Sequence, residues 1–117
     1  MFRLLSCALL ALPLLIEPAL AQRPAGAPGT GDAAGQEMMN GMSKMNHDMS
    51  VAPMSGDPDH DFVAMMIPHH QGAIDMAQTE LRYGKDAVIR HLAREVIAAQ
   101  KKEIELMQRW QASHVSH

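Results

Sequence analysis

Cysteine is nearly absent: Cys7 is the only one in 117 residues. That excludes a disulfide framework, the usual staple of small exported chains, and a cysteine-built zinc site. Aromatic residues are equally scarce, at 3% of the chain, and the formal net charge is −3. A chain with neither a basic surface nor a stacking platform is not built for nucleic acid. It contains no glycine-rich phosphate loop, no His-Glu-x-x-His motif and no serine nucleophile elbow. These absences leave no identifiable nucleophile or substrate pocket, so the chain reads as a non-enzyme.

What it does hold is methionine and histidine, 11 of one and 7 of the other. Their distribution follows the organisation of the chain. Residues 1–21 read as a secretory signal peptide. Arg3 gives a basic start, residues 4–16 are almost wholly apolar, and Ala19-Leu20-Ala21 is a small-x-small cleavage site. The apolar run is too short for an ordinary membrane span. Cleavage after Ala21 removes Cys7 and predicts a periplasmic or secreted chain without stable membrane insertion. Residues 22–58 read as a flexible linker, first Gly/Pro-rich and then methionine-rich, with little branched or aromatic material for a core. Residues 59–111 form the folded unit, and residues 112–117 are a flexible tail carrying His114 and His117.

Two helices are predicted in the folded unit. Asp57 precedes the first as a cap, Gly84 ends it, and Asp86 caps the second. Pro68 lies inside the first helix, where a kink is expected. The short connection makes an antiparallel αα-hairpin. Phe62, Met65, Met66, Ala73, Ile74, Met76, Ala77 and Leu81 form a broad apolar arc on the first helix. Val88, Ile89, Leu92, Val96, Ala99, Leu106, Met107 and Trp110 do so on the second. Glu103 falls within that second arc and needs a lysine, histidine, backbone donor or metal as partner. The arcs are wider than one mutual interface requires. The expectation is therefore an all-α hairpin that completes a four-helix bundle by homodimerisation, or gains a third helix from the methionine-rich arm.

The run from Met65 through His69 and His70 to Met76 puts two imidazoles and three thioethers on one helix. Those are the ligands that soft and borderline transition metals prefer, and copper is the first to consider. Met65 is four residues before His69, and Met66 four before His70, so each pair stacks along the helix. Adjacent histidines diverge by about 100°. One can ligate while the other holds a carboxylate such as Glu103, or both can meet their counterparts across a dimer. The plainer alternative makes the histidines satisfied polar residues and the methionines core fillers. In the linker, Met42-x-x-Met45-x-His47-x-Met49 offers three thioethers and one imidazole that a mobile segment could wrap around Cu(I), or Ag(I) as its surrogate.

The pattern Asp59-x-x-Phe62-x-x-Met65-Met66-Ile67-Pro68-His69-His70-Gln71-Gly72-Ala73-Ile74-Asp75-Met76-Ala77 resembles the DUF305 family. So does Glu95-x-Ile97-x-x-Gln100-x-x-Glu103-Ile104-x-x-Met107-x-x-Trp110 in the second helix. The resemblance covers residues 57–111. It implies a ferritin-like helical architecture, and some members are exported copper-binding proteins linked to copper tolerance. Many members carry two related halves where this chain has one, which supports a bundle completed by dimerisation. The resemblance also supports metal contacts near Met65, Met66, His69, His70 and Met76. Ferritin chemistry does not follow, because the residues three before His69 and His70 are Met66 and Ile67, not glutamate.

The function expected is capture of Cu(I) by an exported protein through methionine and histidine, for copper tolerance, storage or transfer to an efflux or cuproprotein partner. One alternative is a non-catalytic helical interaction or structural module without physiological metal. The other is a small metal-dependent redox enzyme.

Overall fold

The computed structural model describes residues 30–115. The expected signal peptide with Cys7, the linker up to residue 29 and His117 lie outside the described residues. Three helices make up the fold: α1 (Thr30–Ser50), α2 (Pro58–Tyr83) and α3 (Ala87–Ser113). Among the described residues there is no strand.

The caps of α2 and α3 arise from short polar side chains. The Asp57 carboxylate accepts from the amides of Asp59 and His60, both at 3.0 Å, and Pro58 opens α2 with φ already suited to a helix. Asp61 grips the preceding loop, accepting from the Ser55 amide at 2.7 Å and the Gly56 amide at 3.1 Å. Gly56 sits at φ 84, a conformation that favours glycine. The Ser55 amide is the main reason the Asp61 carboxyl lies below the usual aspartate range. Asp57 and Asp61 at the start of α2 are thus committed to backbone amides. α2 continues through Pro68 without interruption. At its far end, Arg90 Nη1 donates to the carbonyls of Leu81 (2.7 Å) and Gly84 (3.0 Å), serving orphan acceptors of the last turn. Asp86 then caps α3 by accepting from the amides of Val88 and Ile89.

Residues 30–50 of the methionine-rich arm are helical, so the arm supplies the third helix that was one of the two expectations, in place of a mobile linker. The physical reason lies in the composition that argued against a core. Methionine, alanine, glutamine and glutamate are unbranched and lose little freedom in a helix. Met38, Met42, Met45 and Met49 also recur at spacings of four, three and four, so they form one stripe.

α2 is the middle helix. It packs against both α1 and α3, which do not pack on each other. Toward α3 it buries Val63, His70, Ile74 and Ala77, and α3 answers with Ala93 and Met107. Toward α1 it presents Gly72. A Cβ added there would lie 2.5 Å from Met45 Sδ and 2.9 Å from Met45 Cβ, so the missing side chain is what lets α1 approach. Arg82 pairs with Glu37 across the same contact and also donates to Thr79 Oγ1 at 3.1 Å.

Gly72→Ala separates two effects of opposite sign. It favours α2 by about 1 kcal/mol in helix propensity, while overpacking against Met45 costs α1 docking roughly 1–3 kcal/mol. Amide hydrogen exchange should therefore accelerate in residues 30–50 and stay unchanged or slow in α2. Unchanged protection of α1 would refute Gly72 as the docking point.

Candidate functional site

The two adjacent histidines point in different directions. His70 is buried and His69 is exposed, with ring centroids 6.0 Å apart and planes at 60°. His70 Nε2 donates to Glu103 Oε2 at 2.5 Å, joining the middle of α2 to α3. Glu103 differs from the buried carboxylate expected of its place in the apolar arc: its side chain is 56% exposed and reaches inward to the imidazole. It stays exposed because that side of α3 has no neighbour. His70 Nδ1 is buried and has no hydrogen-bond partner. A proton there would be a buried donor without an acceptor, so the geometry favours Nε2–H with a bare lone pair on Nδ1. An imidazole that gives one N–H to a carboxylate and keeps the other nitrogen free has the electronic arrangement of a metal-ligating histidine.

The methionines regroup relative to their order in the chain. Helical spacing puts Met42, Met45 and Met49 on one stripe and turns His47 away from it, so the four-residue cluster read from the linker is not assembled on one face. Met45 and Met49 are half-buried, and Met45 lies over Gly72. Met42 is 39% exposed and Met76 41% exposed. These two share a cleft of about 300 Å³ between α1 and α2 with Met38, a residue that sequence reasoning left out of the ligand set. The signal for it was present: Met38 begins the four-three-four stripe. Asp75, Thr79 and Arg82 form the polar rim of the cleft. Met65 and Met66 are half-buried on α2. Among the described residues, no group of three His, Cys, Asp or Glu side chains is placed to hold a metal ion.

A second histidine arrangement closes the other end of the hairpin. His60, at the start of α2, points its Nε2 at the backbone carbonyl of His114, 2.6 Å away. Its ring meets Trp110 edge-on at 4.9 Å, and the His114 ring stacks on the other side of the indole at 4.4 Å. His60 Nδ1 lies 3.2 Å from Asp57 Oδ1, so both ring nitrogens face acceptors. The His114 carbonyl, then Asp57, raise the His60 pKa above its ordinary value, while the His60 amide and ring hold Asp57 below its own.

A raised folded-state pKa gives stability that is complete below the unfolded value, near 6.5 for histidine, and disappears as pH rises through the folded value. The clasp of the α3 end onto α2 should therefore loosen as pH rises through the raised folded-state value of His60. Trp110 is the only tryptophan, so its emission reports the change directly. The expected result is an alkaline rise in intensity in the native chain that is lost in His60→Gln; an identical titration in that variant would assign the change to another group.

No curated protein matches this chain. The family model described as a domain of unknown function, DUF305, matches residues 16–111. That span extends beyond the hairpin motifs and takes in the whole of α1, so the methionine-rich helix falls inside the shared domain. By this match over most of its length, the chain belongs to the DUF305 family.

Proposed function

We propose that the protein is a non-catalytic helical interaction module whose working surface is the open face shared by α2 and α3. The observation that carries this reading is the row of large apolar side chains left in solvent there: Phe62, Met76, Ile89, Leu92 and Leu106, each more than 40% exposed. Isolated exposed apolar residues are ordinary, but a contiguous face of them marks a docking surface. Between α2 and α3 the face forms a groove of about 350 Å³ lined by Ala73, Met76, Ala77, Ile89, Leu92 and Val96, with Met38 of α1 closing one edge. In this reading the hairpin is one half of a ferritin-like four-helix arrangement. Its place of action is outside the inner membrane, as the signal-peptide pattern implies. No helix among the described residues is long and apolar enough to cross a membrane.

A photocrosslinking side chain at Leu92, in the producing cell, tests the face. It should give a discrete adduct, whereas the same group at Lys101, on the other side of α3, gives none. Absence of an adduct at Leu92 would refute the module.

A second reading, capture of Cu(I) or Ag(I), is favoured by two observations: the bare Nδ1 of buried His70, and the thioethers of Met38, Met42 and Met76 around one cleft. Thioethers suit soft monovalent ions and do not lose affinity through protonation. An anaerobic Cu(I) competition titration decides it. Stoichiometric binding tighter than micromolar should fall at least about tenfold, or about 1.4 kcal/mol, in Met38→Leu/Met42→Leu/Met76→Leu. Full retention in that variant would remove the cleft from consideration, and loss in His70→Ala alone would move the site to the imidazole.

A further inference from the structure

The open face has an internal pattern that says what covers it. On α2, Phe62, Met66, His69, Ala73, Met76 and Glu80 recur at spacings of four and three, and on α3 Ile89, Leu92, Val96, Ala99, Glu103 and Leu106 do the same. Nine of these twelve residues are apolar, a content that suits a helix seam packed against another helix rather than a face built for water. Both seams are nearly symmetric about an alanine. Around Ala99, Leu92 lies seven residues before and Leu106 seven after. Glu95 lies four before and Lys102 three after, on one flank. Around Ala73, Met66 and Glu80 lie seven residues to either side, and His69 and Met76 four before and three after.

The two alanines are also level with each other. His70 bonds to Glu103, and the helices are antiparallel, so three residues onward from His70 and four back from Glu103 reach the same height. Small residues at one height let two helix pairs approach closely.

We propose that a second copy of this chain covers the face, related by a twofold axis that passes near Ala73 and Ala99. The proposal rests on the interaction-module reading and names its partner. Antiparallel self-pairing about this axis sets Leu92 against Leu106 of the second copy, Glu95 against its Lys102, and His69 opposite its Met76. A twofold interface requires one surface to complement itself; on α3 leucine meets leucine and carboxylate meets ammonium, while on α2 Met66 lies opposite Glu80 of the second copy. The seams from Phe62 to Glu80 run about 27 Å at the helical rise, and two helices side by side are about 18 Å across. That is on the order of 500 Å² in projection and more in accessible area, the scale of one side of a standard interface.

Light scattering with size exclusion on the full chain should find a dimer at micromolar concentration. Glu95→Lys and Lys102→Glu each place like charges at two symmetric positions and should weaken it by about tenfold. The double variant Glu95→Lys/Lys102→Glu should restore the native constant. Circular dichroism should be unchanged throughout, because both side chains are exposed. A monomer up to millimolar concentration, or a dimer indifferent to both single reversals, overturns the proposal. The Leu92 crosslink separates the two levels of inference. An adduct of twice the chain mass supports the second copy, and an adduct with a different protein overturns it while sparing the module. The absence of any adduct overturns both.

Discussion

Everything in this fold depends on α2 serving three directions at once. One face buries Val63, His70, Ile74 and Ala77 against α3. A second, with Gly72 at its centre, receives α1 through Met45. The third, from Phe62 to Glu80, faces outward between the flanking helices. A helix has only so much circumference, and the flanking helices never meet across it. The result is a layer one helix thick, in which no large side chain among the described residues falls below 2% exposure. A layer of that kind buries apolar area poorly for its length, and small domains without disulfides depend on added staples or partners. The exposed apolar seam is thus a direct consequence of the single-layer geometry.

Within that layer the His70–Glu103 bond carries more weight than its one contact suggests. It fixes the height of α2 against α3 with a polar pair in an otherwise apolar seam, where a slip would strand a buried imidazole. Pairs of this kind specify arrangement more surely than they add stability. Glu103 stays half in solvent, so its desolvation cost is modest. The same bond leaves Nδ1 of His70 as a buried base without a partner, and native structures hold few such atoms without reason.

The sequence made the hairpin legible because its boundaries are set by local chemistry. Asp57, Asp86 and Gly84 act within a few residues of themselves, and each sits where its cap or break is needed. The different directions of His69 and His70 follow from helical periodicity. α1 is legible only as an alternative, a third helix drawn from the methionine-rich arm, because the arm lacks the branched and aromatic residues that mark a partner. Its partner is a notch made by Gly72, and a missing side chain leaves no periodic apolar signal. The structure regroups the methionines for a different reason. Met42, Met45, His47 and Met49 are close in sequence, but once the segment is helical His47 turns away, and Met76 from α2 replaces it beside Met38 and Met42. Glu103 was placed on the correct face, but its burial depended on a neighbour that the single chain does not supply.

Met76 joins the two functional readings physically. It lines the cleft between α1 and α2, and it also lines the apolar groove between α2 and α3. A methionine side chain has three flexible torsions, so Met76 can shift toward either surrounding. A soft ion held with Met38 and Met42 would draw the thioether toward α1 and thin the apolar seam. A partner docked on the seam would hold it the other way. Linkage then requires the two events to oppose each other by equal factors, since whatever ion binding costs docking, docking costs ion binding. If both proposed readings hold, interaction and metal capture would not be additive properties of separate surfaces, because Met38 and Met76 line the cleft and the groove alike.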